Sequence, residues 1–327
     1  MYLGLREIRA AAGRFGLIVG VVALVAFMVI TLSALTAGLR SQSVSAIEAL
    51  PGSGLVVQQD SGGAPATLSD SAIESSTASE IDGTQLGIAT LRAGHNSVNA
   101  TVAAFGRTDV HDVTLNPEVA KTLGVQAGEL LKLGNEEIRI DSISDVGLYA
   151  HQPVIELPMK EWHNVSGRDA VNAVIVDSSV NVPAGLTEVD RAGSLNIIPG
   201  FKSEHSSLLL IQGLLLVISA VVVAGFFAVW TGQRIPSLAV VRAMGAGRWY
   251  LLRDGLAQAT LVLLSGLIIG AALGFTAASL LSGIAPIAVD LGSGFAMLAG
   301  MGVLGLIGAG LALRPLTTVD PLVALNR

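Results

Sequence analysis

The sequence predicts an α-helical membrane protein with four transmembrane helices and an α+β extracytoplasmic domain inserted between the first and second. Three observations carry this reading. Of 327 residues, 51% are hydrophobic and 13% charged, with a mean hydropathy of +0.66, a balance typical of multispan membrane proteins. Four apolar runs, roughly Phe15–Leu39, Ser207–Trp230, Gly255–Leu281 and Gly294–Leu313, hold no Asp, Glu, Lys or Arg between their ends. Each is long enough to cross a bilayer core, which takes about 20 residues of helix. Between the first two runs, the 40–206 segment changes to short alternating patterns broken by turn residues.

The first element, residues 1–39, begins with Arg6, Arg9 and Arg14 and continues into an apolar run. That start resembles a secretory signal, and Ala34 and Ala37 imitate a cleavage site. The run is longer than the usual apolar region of a signal peptide, about 7–15 residues, so an uncleaved anchor is expected. Positive residues near span ends favour the cytoplasmic side. They cluster before the first span, between the second and third (Arg234, Arg242, Arg248, Arg253) and after the fourth (Arg314, Arg327), whereas 282–293 holds only Asp290 as a charge. Both termini and the 231–254 loop are therefore expected inside, in a bacterial plasma membrane, with 40–206 and the 282–293 loop outside.

The outer segment carries ten Lys/Arg against twenty-one Asp/Glu, so the whole-chain charge of −6 hides an acidic outside and a basic inside. An acidic exposed domain argues against nucleic acid as a partner. With no cysteine, no disulfide braces it. Strands are predicted at Gly54–Gln59, Gln85–Leu91, Val98–Phe105, Leu130–Leu133, Ile138–Ile143, Val154–Leu157 and Ala173–Val176. A helix is predicted at Pro117–Leu123, capped by Asn116, and a second at Ser69–Glu80. Beyond Leu39, the spacing of Val44, Ile47 and Leu50 extends the first span outward as a stalk until Pro51.

The remaining elements are span two (207–230), a loop (231–254), spans three and four (255–313) and a tail (314–327). Gly266, Gly270 and Gly274 recur at every fourth residue and Gly302, Gly305 and Gly308 at every third; such small faces let helices approach closely, and the simplest arrangement packs spans three and four on each other within one subunit, the alternative being a dimer interface or sliding surface. Gln212, polar within span two, reads as the mark of a helix–helix hydrogen bond rather than a ligand. In the loop, Ile235-Pro236 is expected to break the helix, Ser237 to cap a new one, and Gly245 and Gly247 to end it.

The segment Gln233-Arg234-Ile235-Pro236-Ser237-Leu238-Ala239-Val240-Val241-Arg242-Ala243-Met244-Gly245-Ala246 resembles the coupling helix of FtsX-like, macrolide-exporter-type ABC transporter permeases. The terminal Pro321-Leu322-Val323-Ala324-Leu325-Asn326 is similar to the end of the same family, and the order of spans matches over the whole chain. Pro236 and Ser237 depart from it, since the family often has an acidic residue there. The resemblance implies a permease homodimer working with two ATPase subunits, and ATP-driven movement of the outer domains and stalks rather than passage through a central channel. Pro236, Ala239, Val240, Arg242, Ala243, Gly245 and Arg248 would be the ATPase-coupling residues. There is no Gly-x-x-x-x-Gly-Lys-Ser/Thr motif, so this chain is not expected to be the enzyme: ATP and Mg would be bound by a separate subunit.

The layout is most like the haem-efflux permeases of Gram-positive bacteria, which makes haem the expected cargo, taken from the outer leaflet. Iron accepts His, Met, Tyr, Cys or a carboxylate, and Cys is absent. The candidate ligands are Met28, beside Phe27 in span one, and Glu48 on the stalk, with Arg40 available for a propionate. Met28 and Glu48 stand about 30 Å apart on one straight helix, so they suit an entry and an exit site rather than one haem. His205 lies at the mouth of span two, while Tyr149, His151, His95, His111 and His163 read as turn or surface residues. Two alternatives share the architecture: export of a peptide antibiotic or macrolide, and a non-transporting relay to an extracellular cell-wall hydrolase. No span holds paired carboxylates, a His-Glu-x-x-His or a Gly-x-Ser-x-Gly motif.

Overall fold

A computed structural model describes residues 12–178, 180–244 and 247–314. It divides into two units, Leu39–Ser206 and the remainder of the chain.

The membrane unit is built from four long helices: α1 (Ala12–Ala49), whose outer end belongs to the other unit, α6 (Phe201–Ala243), α7 (Arg248–Leu281) and α8 (Leu291–Ala312). Their span-length windows have mean hydropathies of 2.8, 2.6, 2.2 and 2.0. Phe15, Val22, Ala26 and Ile30 of α1 join Phe227 of α6, Leu263 of α7 and Met301 of α8 in one buried cluster. Polar groups meet inside it: buried Gln212 donates to Thr36 Oγ1 at 2.9 Å, and the Ser33 and Ser293 hydroxyls lie 3.3 Å apart. The connection before α8 rests on α1, with Ala288 N donating to the Ala34 carbonyl at 3.1 Å. A Cβ on Gly38 would sit 2.0 Å from the Pro286 carbonyl oxygen, so only glycine fits there.

The glycine rows depart from the expected pairing of spans three and four. The α7 row packs on α1: added Cβ atoms would lie 2.5 Å from Val22 at Gly266, 2.4 Å from the Ala23 carbonyl at Gly270 and 2.7 Å from Ile30 at Gly274. The α8 row splits, with Gly305 against Leu263 of α7 and Gly308 against the Ala220 carbonyl of α6. The period explains the difference. Steps of four residues drift by about 40° around a helix and steps of three by about 60° in the opposite sense, so the α8 row winds from one neighbour to another. Gly270→Val is expected to lower stability by roughly 1–3 kcal/mol through overpacking, read as a fall in melting temperature, whereas Gly20→Ala, with nothing within 4 Å of the new Cβ, should leave it unchanged.

A second correction concerns Pro236. Helix α6 runs unbroken from Phe201 to Ala243, so no new helix begins at Ser237. Proline forfeits one bond, to the Gly232 carbonyl, and the long apolar run behind it carries the helix on. Gly247 precedes the first residue of α7. Gly245 and Ala246, the Pro321–Asn326 signature, and Arg6, Arg9 and Arg327 lie outside the described residues.

The outer unit holds an eleven-stranded mixed sheet. Its strands are β1 (Gly54–Gln58), β2 (Thr84–His95), β3 (Val98–Arg107), β4 (Thr114–Leu115), β5 (Leu130–Leu133), β6 (Glu136–Arg139), β7 (Ser142–Ile143), β8 (Leu148–Tyr149), β9 (Gln152–Pro158), β10 (Ala173–Val176) and β11 (Leu186–Asp190). They run β11-β1-β10-β2-β3-β9-β4-β7, with β5 and β6 attached through β2 and β8 through β9. Helices α2 (Ser75–Ser79), α3 (Pro117–Leu123), α4 (Met159–Ser166) and α5 (Arg191–Ser194) complete it. The expected four spans and inserted α+β domain are thus both present.

One packing device anchors the sheet. Gly87 and Gly106 face each other across β2 and β3, and Cβ atoms there would fall 2.7 and 2.3 Å from the Trp162 ring. The paired glycines form a slot for this fully buried indole, whose Nε1 donates to the Ala104 carbonyl at 3.0 Å. Asn116 caps α3 by accepting from Glu118 N at 2.9 Å. The helix expected at Ser69–Glu80 shrinks to α2. Its first half is a turn in which Thr67 Oγ1 donates to Asp70 at 2.7 Å, followed by a bridge from Ile73 to Val171, because short polar side chains compete with helical bonds.

Candidate functional site

The sheet places a pocket beside the stalk end of α1. Asp190, last residue of β11, pairs with Gly54 of β1 and caps α5 by accepting from Gly193 N at 2.8 Å. That fixes Arg191 at the start of α5. Its guanidinium donates through Nη1 to the Gly52 carbonyl at 2.6 Å and through Nη2 to the Glu48 carbonyl. It thus holds the carboxyl end of α1, whose last carbonyls have no helical partner.

From that anchor the pocket opens to about 630 Å³. Arg40 and Glu48 of α1 form one wall, Arg191 and Ala192 of α5 and then Leu195 and Asn196 a second, and Phe201 and His205 of α6 a third. Arg40 Nη2 lies 2.6 Å from Glu48 Oε1, both side chains being about half exposed at 44% and 43%. Four residues apart on α6, Phe201 and His205 stack with ring centroids 5.3 Å apart and planes within 14°. Two guanidiniums, a carboxylate, an imidazole and the apolar side chains of Leu195 and Phe201 give this pocket the chemistry to hold an amphipathic molecule that carries an anionic group.

Of the residues singled out from the sequence, Arg40, Glu48 and His205 therefore line one pocket. Phe27 and Met28 belong to the membrane unit, where Met28 is 49% exposed. Pro236, Ala239, Val240, Arg242 and Ala243 lie along the carboxyl-terminal end of α6, and Arg248 opens α7. Arg191 and Phe201 carried no signal of their own: an arginine after an Asp cap and an aromatic before an apolar run are commonplace until folding brings them together.

A second contact fixes the pocket's outer walls. The β8–β9 hairpin turns through Ala150 and His151, both with positive φ (46° and 64°). Their amides donate to the Ser43 and Gln42 carbonyls of α1 at 3.0 and 3.1 Å. His151 Nε2 lies 3.1 Å from Ser43 Oγ and 3.2 Å from Glu204 Oε2, bridging α1 and α6. Gly147 permits the approach: its φ is +80° and a Cβ there would meet Ala46 N at 2.6 Å. His95 and His163 instead make contacts with the Leu130 and Arg168 carbonyls, away from the pocket.

Next to His151, Tyr149 is buried, packed edge-on against Phe105, and its hydroxyl has no hydrogen-bond partner among the described residues. Burial, and secondarily the charge of Asp70, push its ionisation well above the ordinary tyrosine value. The folded state therefore resists forming the phenolate. Stability is intact below the unfolded value of about 10 and falls as pH rises beyond it. Tyr149→Phe should remove that alkaline dependence and, by deleting an unsatisfied hydroxyl, be neutral or stabilising by roughly 1 kcal/mol. Thermal melts across pH 7–11 check both.

Residues 209–321 match the family model described as FtsX-like permease C-terminal. Over its full length it is 23% identical, across 368 aligned residues, to the "Putative hemin transport system permease protein HrtB" of Staphylococcus haemolyticus, with 100% of this chain and 99% of that protein covered. A protein of the same name from Staphylococcus epidermidis strain ATCC 12228 is 23% identical over 355 residues, with the same coverage. Among solved structures, the extracellular domain of the noncanonic ABC-type transporter YknZ from Gram-positive bacteria overlaps 42% of this chain and 99% of its own, at 8% identity and a TM-score of 0.31. The four apolar helices are each long enough to cross a membrane, as expected of a multi-pass membrane protein similar to these permeases.

Proposed function

We propose that this chain is an FtsX-like permease, the membrane subunit of an ATP-driven exporter that expels haem from the outer leaflet. The observation that carries the reading is the pocket that gathers Arg40, Glu48, Phe201 and His205 in a chain similar end to end to proteins named for hemin transport. Haem needs a flat apolar surface, cations for its propionates and an axial donor for iron; Phe201, Arg40 and His205 or Glu48 supply these. Met28, with Phe27, would serve an entry site in the membrane unit.

The permease works as a homodimer with two ATPase subunits that bind ATP and Mg, and both its termini face the cytoplasm. ATP closes the ATPase pair, which pushes the inner end of α6 through Pro236, Ala239, Val240, Arg242, Ala243, Gly245 and Arg248. The pocket's walls are the outer ends of α1 and α6, so any relative movement of these helices changes its volume. Mechanical expulsion follows without a central channel.

Titration of the full-length protein in lipid nanodiscs with hemin tests this. Wild type should give a saturable, shifted Soret band, and a Glu48→Ala/His205→Ala double variant should bind at least about tenfold more weakly, as expected for loss of an axial donor and a charged contact. Unchanged binding in the double variant removes the pocket from the mechanism, and no saturable binding in wild type removes haem as cargo.

A further inference from the structure

The pocket's two arginines are not equivalent. Arg40 already has a carboxylate partner, Glu48, at 2.6 Å. Arg191 donates only to main-chain carbonyls, those of Gly52 and Glu48, and pairs with no carboxylate among the described residues. The carbonyls hold the guanidinium plane in place without cancelling its charge. Two of its N–H groups are committed, and the others have no hydrogen-bond partner among the described residues. A pre-positioned, uncompensated guanidinium lining a pocket with Phe201 and Leu195 suits a carboxylate on an otherwise apolar ligand, because bidentate Arg–carboxylate pairing gives orientation as well as energy.

We infer that Arg191 receives a carboxylate of the cargo and is a specificity-determining residue of the pocket. The cargo class is then an apolar, planar acid, recognised by its carboxylate edge. This rests on the cargo reading above but makes a separate demand, since a site that recognised only iron and the ring face would be indifferent to esterification.

The test compares hemin with hemin dimethyl ester on the full-length protein in nanodiscs of neutral lipid, for wild type, Arg191→Gln and Arg191→Lys. Gln keeps a donor for the Gly52 carbonyl while removing the charge; Lys keeps the charge without the planar fork. In wild type the ester should bind about tenfold more weakly than the acid, the scale of one charge-assisted contact at a partly exposed site. In Arg191→Gln the acid should weaken to near the ester, leaving a difference within about twofold, and Arg191→Lys should fall between. Equal binding of acid and ester by wild type overturns the inference, as does an undiminished ester penalty in Arg191→Gln, which would assign the carboxylate to another residue such as Arg40. If hemin fails to bind wild type at all, the cargo reading falls and this falls with it; equal binding of acid and ester overturns this alone.

Discussion

Arg242→Glu is expected to abolish productive coupling to the ATPase while leaving cargo binding in place. Arg242 sits in the segment that resembles the ABC coupling helix, on the helical stretch ending at Ala243. Reversing a charge at a protein–protein contact costs several kcal/mol when the partner surface is complementary. Export by cells carrying the variant should therefore fall by at least about tenfold, whereas hemin affinity of the purified variant should stay within about twofold. Gly245→Pro should behave alike. Normal export by either variant would remove the 236–248 segment from the coupling role.

The second large effect is on stability. Trp162→Ala empties the slot formed by Gly87 and Gly106 and deletes the bond to the Ala104 carbonyl. Truncating a fully buried tryptophan costs roughly 3–5 kcal/mol, a large share of the ~5–15 kcal/mol that holds a domain. The outer unit should melt on the order of 10 °C lower, seen as early loss of its near-UV dichroism. A shift of only a degree or two would mean that the paired glycines are not a slot for the indole. The substitution should also weaken hemin binding, because the sheet that carries Asp190 and Arg191 positions the pocket.

Much of the fold was legible because its signals are local. Apolar length gives the spans directly. Leu130–Leu133, Ala173–Val176 and Pro117–Leu123 coincide with their predicted limits, since turn residues or a cap bracket them. What escaped depends on neighbours. Helix α4 buries Met159, Trp162 and Val165 at three-residue spacing, yet it follows the strand run Val154–Leu157 without a break that would announce it. Strand β11 shows little alternation and forms because β1 offers it an edge. The glycine rows announce close packing but not the partner, and so α7 meets α1 rather than α8 alone. Pro236 is a strong local breaker overridden by a long apolar helix.

The pocket divides in the same way. Arg40 and Glu48 share a stalk helix and were visible as a pair of charges above an apolar run, and His205 as an imidazole at the mouth of the next. Their meeting with Arg191 and Phe201 requires the β1–β11 pairing and the Asp190 cap, which no spacing in the sequence encodes. Phe27 and Met28, selected by chemistry alone, fall in the other unit.

Export of haem driven by a partner ATPase is tested most directly by reconstituting the permease with its ATPase in proteoliposomes and measuring ATP hydrolysis as hemin is added. The expected result is saturable stimulation that is lost in the Glu48→Ala/His205→Ala variant and reduced for hemin dimethyl ester. Hydrolysis indifferent to hemin, but stimulated by a macrolide, a peptide antibiotic or an extracellular hydrolase, would contradict it.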